Sequence, residues 1–271
     1  MFWTKILLTP LIMTVITKKL FYSIISKPLC LRENYKKMMI PVCGGIVFVP
    51  SLFVSIILLN LLGLKIDYQE VILLSLSLIS FAGFIDDVLG DKNVRGLKGH
   101  ITMFLKGKPT TGSLKALSGV LIAFFTSFNI GKNYIGELII DTLIIALFTN
   151  FLNLVDLRPG RSGKTFLVIS LIFLIIGKTQ PYFLVLLTMI LLVYLPEDLK
   201  AKVMMGDTGS NVLGMSLGIS SILIFDLYGK LIILTLLILL HIFTEKYSLT
   251  ALIEKNKVLN YLDMLGRKGE R

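Results

Sequence analysis

Cysteine and histidine are nearly absent, with two of each in 271 residues. Cys30 and Cys43 have no further Cys or His spaced to complete a zinc site, and both fall in a loop expected to face the cytoplasm, where structural disulfides are rare. They read as ordinary small residues. Charge is scarce too, at 17% of residues, against 55% hydrophobic and a mean hydropathy of +0.83. A soluble domain of this length needs far more polar surface, so the class is an all-α, polytopic membrane helix bundle. Internal repeats, low-complexity tracts and an inserted soluble domain are all missing. The apolar runs lack the continuous alternation and hairpin spacing of a membrane β-barrel. No basic segment interleaved with aromatics is present, which excludes nucleic acid as a partner. No small-x-small cleavage site follows the apolar Ile6–Ile16, and Lys18, Lys19 and Lys27 come next. A retained first span is therefore expected, not a signal peptide.

What the chain does have is apolar runs, near residues 4–17, 46–62, 71–86, 114–130, 137–155, 165–177, 182–196, 211–227 and 231–244. Several fall short of the ~20 residues of a usual span, so nine spans are expected within a range of eight to ten. An outside N-terminus and a cytoplasmic C-terminus put loops 18–45, 86–115, 156–164, 197–211 and 244–271 inside, with 23 of the 28 Lys and Arg residues. Only Lys5, Lys65, Lys132, Lys178 and Lys230 remain on the other side. This asymmetry is the positive-inside pattern of a plasma-membrane protein, and it accounts for the net charge of +11 through topology and anionic lipid headgroups. Residues 1–244 form one membrane domain in this reading. Residues 245–271 form a cytoplasmic tail with one or two short interfacial helices, since Leu249, Leu252 and Ile253 share a helical face that Asn256 and Lys257 interrupt.

On this topology the informative polar residues share the cytoplasmic face. Asp86 and Asp87 end one span in "GFIDDVLGD", and Asn150, Asn153 and Asp156 end another at helical steps of three. Asp207 precedes a third in "MMGDTGSNVLG", and Gly44 and Gly45 precede a fourth. Carboxylates at membrane depth cost several kcal/mol unless they are partnered, which makes them functional candidates. Hard oxygen donors with almost no histidine suit Mg²⁺ or Mn²⁺ over zinc. "GDTGSN" opens a helix whose N–H groups can face an anion, and Lys36, Lys37, Arg158, Arg161 and Lys164 add positive charge. The expectation is a metal–diphosphate site beside a lipid path. Against it, the Asn row also fits interhelical hydrogen bonding, and Gly214 and Gly218 fit close helix packing. "GRSGKT" is no Walker A loop, because Arg158 stands where its first Gly belongs. His100 and His241 are left outside the candidate site.

These residues together resemble the polyprenyl-phosphate N-acetylhexosamine-1-phosphate transferases, the MraY/WecA-like family. The family's D-D-x-x-G motif is matched by Asp86, Asp87 and Gly90, and its G-D-x-G-S-x-x-L-G motif by Gly206, Asp207, Gly209, Ser210, Leu213 and Gly214. Its N-x-x-N-x-x-D segment is matched by Asn150, Asn153 and Asp156, and its P-x-x-G-G element by Pro41, Gly44 and Gly45 with Lys37 as the basic residue. Order and spacing agree over residues 37–214. The chain departs at Leu157, Pro159 and Arg161, where the family has Gly, Asp and Leu in its nucleotide pocket, and it lacks the histidine-rich motif of the pentapeptide enzyme.

The resemblance implies transfer of a sugar-1-phosphate from a UDP-sugar to polyprenyl phosphate, with release of UMP, in cell-envelope glycan synthesis. It implies Asp207 as the Mg²⁺ ligand, with Asp86 and Asp87 as the catalytic carboxylates. It also implies Lys37, Asn150, Asn153, Asp156, Gly206, Gly209 and Ser210 around the substrate. Two other readings stay open at this stage: an inactive paralogue that binds lipid-linked sugar or a partner enzyme, and a carboxylate-based cation carrier. A homodimer is compatible with the chain but is not encoded visibly in it.

Overall fold

The computed structural model describes residues 2–90, 111–131, 134–177 and 181–267. Lys132, Lys178, His100 and most of the basic loop 86–115 lie outside the described residues. Among those described, eleven α-helices and one short β-hairpin form. They are α1 (Phe2–Ile25), β1 (Leu31–Glu33), β2 (Met39–Pro41), α2 (Phe48–Leu61), α3 (Gln69–Leu89), α4 (Thr111–Ile130) and α5 (Ile135–Val155). There follow α6 (Arg161–Ile176), α7 (Tyr182–Leu199), α8 (Gly206–Ile224), α9 (Leu227–Lys246), α10 (Leu249–Lys255) and α11 (Lys257–Met264).

Every apolar run of the sequence is a helix, and seven of these helices are long and apolar enough to cross a membrane. Of the other two, α6 is shorter, with 16 residues, and α8 is more polar and lies inside the bundle. The helix α8 is the axis of the bundle: Thr208 through Ile222 are all buried, packed by α3, α5 and α6. Gly214 lies on the backbone of Phe148 and Thr149, and Gly218 on that of Ile145, so α5 and α8 approach as closely as backbones allow. Protein surrounds α8 on every side, which lets its sequence be rich in Ser and Gly where a lipid-facing helix is rich in Leu and Ile.

The hairpin is the only β-sheet among the described residues. Its strands pair in antiparallel register, Leu31 with Pro41 and Arg32 with Ile40. Asn34 closes the turn by accepting N–H bonds from Lys36 (2.8 Å) and Met38 (3.0 Å). A 3₁₀ turn, Gly44–Val47, then leads into α2 and bonds to the segment before α8: Gly44 N–H to Met204 O (2.9 Å) and Gly45 N–H to Met205 O (3.0 Å). Two tail helices form, and Asn256 separates them because its side chain caps α11, accepting from the N–H groups of Val258 and Leu259. At the bundle end remote from the hairpin, buried Lys230 meets Glu137 (2.9 Å) and Asp141 (2.8 Å), tying α9 to α5.

Candidate active site

The aspartate doublet at the end of α3 splits into two roles. Asp87 turns toward α8 and caps it: Oδ1 accepts from Asp207 N–H (2.9 Å), and Oδ2 accepts from Thr208 N–H (2.9 Å) and Thr208 Oγ1 (2.6 Å). A carboxylate on the first-turn N–H groups satisfies orphan donors and faces the positive helix end, a cap worth about 1–2 kcal/mol. The anion expected at the start of "GDTGSN" is thus supplied by the chain itself. Both Asp87 oxygens are engaged in this cap, so of the doublet it is Asp86 that faces the charged cluster.

Asp86 turns the other way. Its Oδ2 accepts from Lys115 Nζ (2.8 Å), and the same ammonium bonds Asp207 Oδ2. Three partly exposed charges from α3, α4 and α8 therefore meet at one point. Gly83 makes this possible, because a Cβ there would collide with the Asp207 peptide that α3 must approach. The donor set fits Mg²⁺, which takes one or two carboxylates and fills its other positions with water and phosphate oxygens. Asp86 and Asp207 already converge on a single cationic atom.

Beside this cluster lies a cavity of about 220 Å³, bordered by Tyr35, Asp87, Asp156, Arg158, Asp198 and Asp207 among others. The turn that leads into α6 supplies part of its wall through Leu157, Arg158 and Pro159. Gly160 adopts φ +72°, and its N–H donates to buried Asp198 (2.9 Å). Arg158 lies over the Tyr35 ring at 5.0 Å, joining the turn to the hairpin. Burial, followed by the charges of Asp198, Asp207 and Asp87, pushes the Asp156 carboxyl well above the ordinary range.

The remaining expected residues distribute unevenly. Gly206 borders the cavity with φ +70°. Ser210, buried, donates to Asn153 Oδ1 (3.2 Å), which places Asn153 on the bundle side of the site. Gly209 touches Gly45 backbone to backbone. Asn150 and Lys37 are exposed and do not border the cavity, and Lys37 sits in the hairpin turn with φ +59°. Arg161 and Lys164 point away from the cavity and bind the tail instead. Cys30 and Cys43 are buried free thiols, as expected of small packing residues.

Sequence reasoning missed Lys115 and the contact of Asp198 with Gly160. Lys115 had a signal, because it lies inside an apolar run where a lone cation needs a partner. The Gly45–Gly209 contact yields a direct test. Gly45→Ala drives a methyl into the Gly209 backbone, and the expected cost is about 3 kcal/mol, read as a lower unfolding midpoint in detergent.

The fold and the site together define a polytopic membrane protein with an acidic site at one end of its bundle. The chain belongs to glycosyl transferase family 4, whose model matches residues 70–225, more than half of it. It is 29% identical over 204 residues to a phospho-N-acetylmuramoyl-pentapeptide-transferase of Clostridium botulinum, covering 68% of this chain and 59% of that relative. A Clostridium beijerinckii protein of the same name is 27% identical over 258 residues, covering 87% of this chain and 77% of the relative. One from Staphylococcus aureus is 30% identical over 203 residues, covering 68% and 62%. With the first of these, the match spans under two thirds of the relative's length.

Proposed function

We propose that this chain transfers a sugar-1-phosphate, of N-acetylhexosamine type, from a UDP-sugar to polyprenyl phosphate such as undecaprenyl phosphate, releasing UMP for cell-envelope glycan synthesis. The observation that carries this reading is the convergence of Asp86 and Asp207 on one cationic centre beside the cavity. Membership of glycosyl transferase family 4 supports it. Asp207, with Asp86, would hold Mg²⁺ or Mn²⁺, which when bound neutralises charge on a diphosphate.

The chain's own residues do the rest. Asp86 orients the lipid phosphate and takes its proton where one is present. A lipid phosphate oxygen then bonds to the β-phosphorus, and the bond to the UMP oxygen breaks, its electron pair leaving with UMP. Such transfer depends chiefly on positioning and charge neutralisation, and Lys115 adds fixed positive charge at the reacting end. Asp87 contributes by holding the start of α8. Asp156 and Gly206 line the nucleotide side, and Gly209, Ser210 and Asn153 support them; Lys37 and Asn150, outside the cavity lining, are given no part in it. Nine spans with an outside N-terminus put the site on the cytoplasmic face of the plasma membrane, in keeping with the distribution of Lys and Arg.

The test is a UMP-release assay with purified chain, undecaprenyl phosphate, Mg²⁺ and a panel of UDP-sugars. Release that requires both the lipid phosphate and the cation is the expected result. Folded, cation-binding protein that releases no UMP with any sugar overturns the activity.

A further inference from the structure

The turn that walls the cavity is held from outside the bundle. Arg161, the first residue of α6, is buried and grips Asp263 of α11 with two parallel bonds, Nε to Oδ1 (2.9 Å) and Nη2 to Oδ2 (2.8 Å). Its third nitrogen, Nη1, donates to Thr250 Oγ1 of α10 (3.0 Å). Arg267 completes the arrangement: Nη2 donates to Asp263 Oδ1 (2.7 Å), while Nε reaches the Pro159 carbonyl inside the turn (2.9 Å). Lys164 caps the end of α11 by donating to the carbonyls of Leu262 (2.9 Å), Asp263 and Leu265 (3.2 Å). Gly160 and Gly266, both in the left-handed region, close on Leu199 from two sides.

The side chains of Arg161, Asp263 and Arg267 are each at most 7% exposed. Bidentate, charge-assisted bonds in such surroundings are strong and fix orientation as well as distance. The Asp263 carboxyl is pushed up by burial, but Arg161 and then Arg267 and Lys164 outweigh this and hold it below the ordinary range. Helices of seven and eight residues are not stable alone, so α10 and α11 depend on these bonds for their place. In the other direction, the 157–161 turn depends on the tail. Asp198 secures it at Gly160, and the tail secures it at Pro159 and Arg161, on either side of that residue.

We propose that Asp263 is a positioning residue for the nucleotide end of the donor substrate: through Arg161 and Arg267 the tail fixes the 157–161 turn, and the turn fixes the cavity wall. This rests on reading the cavity as the UDP-sugar site. The tail reaches the turn and makes no described contact with Asp86, Lys115 or Asp207. Its influence is therefore on donor affinity, and the acceptor lipid is unaffected.

The experiment uses the full chain in detergent, with calorimetric titration of UDP alongside UMP-release kinetics. Asp263→Asn keeps the shape and removes the charge, and it is expected to weaken UDP binding about 10-fold, with KM for the UDP-sugar rising equally. KM for undecaprenyl phosphate should stay the same and kcat should change less than about 2-fold. Asp263→Glu, which keeps the two-oxygen grip, should recover most of the affinity. Arg267→Gln provides a milder variant should Asp263→Asn not fold, with about 3-fold weaker UDP binding through loss of the Pro159 bond. Unchanged UDP affinity in either folded variant overturns the positioning role. A wild-type chain that binds no UDP overturns the reading of the cavity instead.

Discussion

Asp207→Asn is expected to slow UMP release by at least about 10³-fold, the scale of losing a principal charge-stabilising group at a reacting centre. The substitution is nearly isosteric, and the contacts that build the site survive it. Asp207 contributes its backbone N–H to the Asp87 cap, and an asparagine keeps that bond. What disappears is one of the two carboxylates that meet at Lys115. A cation there would then depend on Asp86 alone, beside an ammonium balanced by a single negative charge. The unfolding midpoint should stay close to wild type while binding of Mn²⁺, read by paramagnetic resonance, weakens sharply. A variant with wild-type turnover excludes Asp207 from the metal role.

The second large effect lies at the other end of the bundle. Lys230→Met is expected to destabilise the fold by about 3 kcal/mol or more, because breaking a buried ion pair leaves charge in a poor solvent. Lys230 is 2% exposed and bonded to both Glu137 and Asp141, the latter fully buried. Methionine fills the space but returns no charge to those two acids. Chemical denaturation in mixed micelles gives the magnitude, and the triple change Lys230→Met, Glu137→Gln, Asp141→Asn should recover a large part of it. A single variant as stable as wild type would show that this cluster is solvated in the folded protein.

Most of the helical framework was legible in the sequence, because apolar runs and their polar boundaries reflect the same physics that folds them. The residue order Asp86, Asp87, Asn150, Asn153, Asp156, Asp207 also marked a set of polar positions near helix ends, and all of these but Asn150 lie at or beside the acidic cluster and cavity. The division of work within the set was not legible. Adjacent residues on a helix point about 100° apart, so two neighbouring aspartates had to face different neighbours, but the sequence does not say which. Lys115 read as one more loop cation because the start of α4 could not be fixed from hydropathy alone. The partners of Arg161 and Lys164 lay roughly 100 positions downstream, in tail helices whose docking only tertiary structure reveals. The hairpin escaped notice since three-residue strands leave almost no periodic signal.

The Asp87 cap has a mechanical consequence. Asp86 and Asp207 lie 121 positions apart in sequence, yet the path between them is one peptide unit, one carboxylate and one N–H bond. Bilayers of different thickness make spanning helices tilt and slide to match the hydrocarbon. Two helices latched at their ends in this way are expected to pivot about the latch, keeping the gap between Asp86 and Asp207 the same while the rest of the bundle adjusts. The doublet therefore acts as a gauge as well as a charge. One aspartate sets how far the other stands from Asp207, whatever the lipid in which the protein sits.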